Sequence, residues 1–211
     1  MVRVQHTPWT VYAEGGARGA GAADLRRGFK ALFDKLGLKH NPKVVACGSR
    51  QQAYERFKLA LEQGDSALLL VDSEAPVHPD AMPGDDLTDW EPWIHLRQQD
   101  NWKRPPTATQ RQAHLMVQCM ESWLLCDPQA LAQWFGAGYV QPPVHAPGVE
   151  ALSAHDAFQR LRDATRHCGR QKQYDKGWHS FEALARVRPE HIEARSLWAK
   201  RFFDVVRKGV A

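Results

Sequence analysis

Short apolar runs and longer amphipathic stretches alternate along the chain. Trp9 to Ala13 (WTVYA) is β-branched and aromatic and stops at Glu14-Gly15-Gly16, the pattern of a buried strand ending in a glycine turn. From Asp24 the apolar residues Leu25, Phe29, Leu32, Phe33 and Leu36 recur at helical spacing as far as Gly37, a C-terminal stop. The unit then repeats: KVVAC (Lys43 to Cys47) runs into Gly48 and a helix whose apolar side carries Ala53, Phe57, Ala60 and Leu61. A third strand, ALLLVD (Ala67 to Asp72), follows Gly64. Strands that are apolar throughout and alternate with helices predict an α/β fold with a mainly parallel sheet covered on both faces.

The next segment, Ser73 to Trp93, holds Pro76, Pro79, Pro83, Gly84 and Pro92, and predicts a long loop. Its acids Asp80, Asp85, Asp86, Asp89 and Glu91 read as a solvated surface; Glu74, two residues past the strand, stands apart from them. After a second polar stretch, AHLMVQ (Ala113 to Gln118) predicts a fourth buried strand, with His114 as a core histidine. It leads into MESWLLCDP and a helix through Leu131 to Phe135. YVQPPVHAPGV is a proline-rich connector, which divides the chain into an α/β core over residues 1–140 and a helical extension over 141–211 packed on that core. Helices are expected at Ala157 to Thr165 and Arg195 to Val206, interrupted by the basic, aromatic stretch GRQKQYDKGWHSF.

Composition narrows the class. A chain of 211 residues with 43% apolar content can bury a real core. No stretch approaches the roughly 18 apolar residues of a membrane span, and no signal-peptide pattern opens the sequence, so a soluble cytoplasmic protein is expected. Cys47, Cys119, Cys126 and Cys168 form no C-x-x-C pair and sit in or beside apolar runs, which favours buried reduced thiols. The net charge of +4 hides an asymmetry: residues 1–150 hold 15 basic and 17 acidic side chains, residues 151–211 hold 13 and 7. Such a basic excess suits a polyanionic partner, or is simply a solvated helical surface.

The candidate chemistry lies at the strand ends. In a parallel sheet the functional crevice is beyond the carboxyl ends of the strands, and there Glu14 closes the first strand while Asp72, followed by Glu74, closes the third. Three converging carboxylates repel one another unless a cation neutralises them, and an all-oxygen set suits Mg²⁺ or Mn²⁺. The plainer alternative is that these acids cap helices or meet water. Gly48 and Arg50 follow the second strand, where Arg50 could reach a phosphate at the rim.

A strand ending in Glu-Gly, a long gap, and a buried strand ending in Asp-x-Asp or Asp-x-Glu is similar to the Toprim signature of topoisomerases, primases and OLD-type nucleases; here it reads VYAEGG and LLLVDSE. Asp72-Ser73-Glu74 departs from the commoner Asp-x-Asp, which leaves open whether Glu74 meets a metal directly or through water. A wider set of stretches, AEGGARGAGAADLRRGFKALF, VVACGSRQQAYERFKLAL, LLLVDSEAPV, AHLMVQCMESWLLCDPQALAQWFG and YDKGWHSFEAL, resembles a bacterial Toprim-like family of unknown function. Its members include the nuclease subunit of the PARIS defence system, encoded beside an ABC-type ATPase. The resemblance implies a Toprim-like sheet with Glu14 as acid-base or metal-bridging carboxylate and Asp72 and Glu74 as the main metal ligands. It also implies a metal-dependent nuclease acting on RNA such as tRNA, or on DNA, as an anti-phage effector held in check by an ABC-type ATPase. Glu121, after the fourth strand, is a further metal ligand, an orienting group, or a helix cap at the core edge.

Two stretches need separate weighing. GGARGAGAAD has no Gly-Lys-[Ser/Thr] and so is no Walker A loop; it lacks the third small residue of a dinucleotide fingerprint, and no cofactor other than metal is expected. In the C-terminal third, Arg166, Arg170, Lys172, Lys176 and His179 interleave with Tyr174 and Trp178, a composition suited to gripping a nucleic-acid backbone while stacking a base. The expected nucleic-acid contacts are therefore Arg50, Arg170, Lys172, Lys176 and His179, with Lys176 and His179 nearest the acids. The alternative is that Tyr174 and Trp178 anchor the segment and the charges are solvated. A non-catalytic binding module that keeps the Toprim shape is the competing function, and a homodimer is left open.

Overall fold

All four expected strands form, with their carboxyl ends at one edge of one sheet. The computed structural model describes residues 9–16, 19–143, 148–169 and 173–208. Strands β1 (Thr10–Ala13), β2 (Lys43–Ala46), β3 (Ala67–Asp72) and β4 (Ala113–Met116) are parallel, in the order β2-β1-β3-β4. The fold is thus mixed α/β, with a parallel sheet flanked by helices, consistent with a Rossmann-like or Toprim-type arrangement.

Alternation along β3 shows why its run is continuous. Leu68 and Leu70 pack with Phe29, Phe33, Trp123 and Phe202 on one face, while Leu69 and Val71 join Phe57, Trp93 and Leu115 on the other. Each such leucine, fully buried, contributes about 1.5–3 kcal/mol. Helix α1 (Ala20–Asp34) begins four residues earlier than the apolar spacing indicates, because Ala20 to Ala23 add a turn without any side chain to bury. Helix α2 (Arg50–Glu62) starts at a capping box, in which the Gln52 amide donates to Ser49 Oγ at 3.2 Å and the Ser49 amide donates to Gln52 Oε1 at 3.4 Å.

The segment after β3 is more ordered than its prolines indicate. A 3-10 turn spans Pro79–Ala81, and α3 (Pro92–Asp100) opens on Pro92, where the missing N–H costs nothing because first-turn amides lack helical partners. After β4 the single expected helix is two, α4 (Met120–Leu124) and α5 (Pro128–Phe135), separated where Pro128 has no N–H to continue the first. The C-terminal third forms α6 (Ala154–Ala164), α7 (Trp178–Leu184), α8 (Pro189–Glu193) and α9 (Leu197–Lys208). A Cβ on Gly28 of α1 would lie 2.7 Å from the Phe181 carbonyl of α7, so this close crossing requires glycine.

Helix α9 covers the β4 edge. Its Arg201, 3% exposed, donates to the carbonyls of Leu87 (3.0 Å), Trp90 (3.3 Å), Gln110 (2.7 Å) and Ala113 (2.9 Å). Burial pulls its pKa down to about 10, which still leaves it charged at neutral pH, solvated by carbonyl dipoles. His114 is buried beside it and against Phe202, the core histidine expected. All four cysteines are free, with Cys47, Cys119 and Cys126 buried. Among the described residues no helix is long and apolar enough to cross a membrane.

Candidate metal centre

Strand order brings the acids together. β1 and β3 are neighbours in register, and the Glu14 amide extends the ladder by donating to the Leu70 carbonyl at 3.0 Å. Glu14 and Asp72 therefore leave the same edge side by side, and the Asp72 amide donates to Glu14 Oε2 at 3.1 Å. Gly15 and Gly48 exchange two backbone hydrogen bonds of 2.9 Å, which ties the loops after β1 and β2 together. Glu74 has φ 61°, a left-handed conformation uncommon for a glutamate, and its amide is held by the Gln118 carbonyl at 2.9 Å. Carboxylate oxygens of Glu14, Asp72 and Glu74 lie within 4.8 Å of one another.

Proximity without compensation defines the electrostatics. Asp72 Oδ1 is buried and has no hydrogen-bond partner. Burial first, then the charges of Glu14, Glu121 and Glu74, push the Asp72 pKa well above the usual carboxylate range. Burial raises Glu14 to about 7, with Arg50 and the Asp72 amide opposing. A divalent cation would reverse these costs. The oxygens lie within the roughly 4 to 5 Å that ligands on opposite sides of one hard cation span at most, so the three residues fit such an ion.

Arg50 is committed within the protein. Its guanidinium grips Asp100 through Nε (3.1 Å) and Nη2 (2.5 Å), lies 3.5 Å from Glu14 Oε2, donates to the Asp72 carbonyl, and stacks over Trp102 at 5.4 Å. Burial alone would lower its pKa, but Asp100 and Glu14 outweigh that and keep it charged. It thus sits beside the acids as expected, but as a fixed brace on Glu14. Asp100 escaped sequence reasoning, although Pro92 followed by Trp93, Ile94 and Leu96 is a legible helix start. His95, whose Nε2 is 2.9 Å from the Ser73 carbonyl, was hidden in the same helix and steadies the loop that carries Glu74.

The remaining expected residues divide. Glu121 is buried in α4 outside the cluster of three and accepts from the Tyr174 hydroxyl at 3.1 Å; that hydroxyl also lies 2.7 Å from Ser180 Oγ. Tyr174 is therefore an anchor, and it ties the basic, aromatic stretch to the helix behind Asp72. Trp178, 53% exposed, is not one. His179 packs against Trp134 (6.0 Å) and Trp178 (5.2 Å), and its Nδ1 accepts from the Asp175 amide at 3.1 Å. Lys176 is exposed, with its ammonium 5.9 Å from the Phe158 ring. Arg170 and Lys172 lie outside the described residues. A cavity of 580 Å³ elsewhere, against Pro142, Pro143, Val149 and Leu197, contains none of the three acids.

A family model described as a domain of unknown function, DUF4276, matches residues 24–207, a span that includes Asp72, Glu74 and Glu121 and begins after Glu14. Comparison with curated proteins and with solved structures returns no match.

Proposed function

From a chain that belongs to the DUF4276 family, a domain of unknown function, we propose a divalent-metal-dependent nuclease that hydrolyses phosphodiester bonds in RNA or DNA. The observation that carries this reading is the cluster of Glu14, Asp72 and Glu74 at the carboxyl edge of β1 and β3, with one Asp72 oxygen buried and unpartnered. A cluster so costly without a cation is what a metal site requires of its protein. Glu14, Asp72 and Glu74 would hold Mg²⁺ or Mn²⁺, which supplies Lewis acidity to a phosphoryl oxygen and lowers the pKa of bound water. The chain's own residues then have distinct tasks. Arg50 fixes the Glu14 carboxylate through a contact that Asp100 in turn orients. Without metal, burial raises the Glu14 pKa to about 7, and a bound cation would favour its ionised, ligating form. Tyr174 donates to Glu121 and so fixes that buried carboxyl group.

The Toprim-like strand ends VYAEGG and LLLVDSE, with their acids at the carboxyl ends of β1 and β3, support nuclease chemistry over a small-molecule phosphohydrolase. The same resemblance carries the finer proposal of an anti-phage effector restrained by an ABC-type ATPase. Two measurements test the core reading. Mg²⁺ or Mn²⁺ should raise the melting temperature of the wild-type protein but not of Asp72→Asn. Labelled tRNA or plasmid DNA should be cleaved with metal and spared with EDTA or by Glu14→Gln. A wild-type protein whose melting temperature ignores both metals would overturn the proposal.

A further inference from the structure

We propose that Arg97, Lys103 and Arg104 form a phosphate track along which a polynucleotide reaches the carboxylate site, an inference that rests on the nuclease reading. A groove of 290 Å³ is lined by these three cations together with Trp93, Ile94 and Trp102. All three cationic residues are exposed, and among the described residues none has an ion-pair partner. The acid within the same segment, Asp100, is consumed by Arg50, so it does not neutralise them. The three exposed cations on its wall suit a polyanion laid along the surface.

Its position relates it to the carboxylates. Trp102 forms a wall of the groove and carries the Arg50 guanidinium on its ring at 5.4 Å, and that guanidinium is 3.5 Å from Glu14. One side chain thus separates the groove wall from the site. The ring of Trp102 is stacked on Tyr54 at 4.5 Å with an interplanar angle of 5°, and with Arg50 also against it the indole is not available for a base. Recognition here falls on the backbone charge, which is sequence-independent and salt-dependent. Cations on a groove joined to the acids through Trp102 and Arg50 would offset the repulsion that a phosphodiester otherwise meets on approach.

The test is binding of a fluorescein-labelled single-stranded oligonucleotide and of tRNA by anisotropy, with the full chain carrying Asp72→Asn so that no cleavage intervenes. Adding Arg97→Gln, Lys103→Gln and Arg104→Gln should weaken binding at least about ten-fold and reduce the logarithmic salt slope by about 2, as loss of three phosphate contacts requires for single strands. A control with Arg26→Gln, Lys39→Gln and Lys43→Gln removes the same charge elsewhere and should change affinity less than three-fold, to about that order. In the wild-type protein with EDTA, which prevents cleavage, bound oligonucleotide should protect Lys103 from acetylation, a readout that needs no variant. Equal losses in the two triple variants, no binding at low salt, or an unprotected Lys103 would overturn the proposal. Equally effective competition by polyglutamate would overturn it in favour of an acidic protein partner. Failure of metal to stabilise the wild type, with the track intact, would sink the nuclease reading and leave the track standing.

Discussion

Asp72 and Asp127 each place carboxylate oxygen out of reach of water, and their surroundings are opposite. Asp127, fully buried, caps α5 through the Ala130 amide (3.1 Å), accepts the Arg188 amide (3.1 Å), and receives the Arg188 guanidinium at 2.7 Å on each oxygen. Burial would raise its pKa, but Arg188, the two amides and His191 outweigh that and lower it. Asp72 has carboxylates where Asp127 has cations and amides, one orphaned oxygen, and a pKa driven upward. A buried acid that the fold has satisfied is part of the scaffold; one left unsatisfied beside like charges is a candidate for a cation.

The largest effect that would sharpen this contrast is at the satisfied acid. Asp127→Ala strands Arg188 and two amides, and should cost about 3–5 kcal/mol in denaturant unfolding. A loss under about 1 kcal/mol would break the comparison, since Asp127 would then be no scaffold group.

Metal should act next in size and only at the other acid. At a concentration one hundred times its dissociation constant, Mg²⁺ or Mn²⁺ should stabilise the wild type by about 2.7 kcal/mol and leave Asp72→Asn unmoved. Asp127 variants should retain the full metal-induced increment, however low their starting stability.

The two regions should also answer pH with opposite signs. Asp127 has a folded pKa below its unfolded value, so its contribution is present above about pH 4 and is lost as pH falls through the folded value. Glu14 has a folded pKa of about 7, raised above its unfolded value, so its carboxylate costs stability fully above pH 7 and less as pH falls from there toward about 4.5. Metal-free protein should therefore melt higher at pH 5.5 than at pH 8, and Glu14→Gln should remove much of that difference. Smallest of all, metal-free Asp72→Asn should match the wild type at neutral pH or exceed it by up to about 1 kcal/mol, because it relieves repulsion without breaking a partner. A clear loss would make Asp72 a scaffold acid after all.

Much of this was legible along the chain because it is local. Apolar runs such as ALLLVD, helical spacing from Leu25 to Phe33, and acids at strand ends are written in neighbouring residues, and they determined the α/β class, the parallel sheet and the candidate triad. The order β2-β1-β3-β4 is not local: it depends on which strands pair across intervening helices, and it alone sets Glu14 beside Asp72. Tertiary structure likewise gave Arg50 to Asp100 and Glu14, tied Tyr174 to Glu121, and satisfied Asp127 with Arg188 from 61 residues away. Residue type fixes that an aspartate can carry charge; whether burial finds it a cation, an amide or another carboxylate is decided by partners distant in sequence, and with that its pKa and its role.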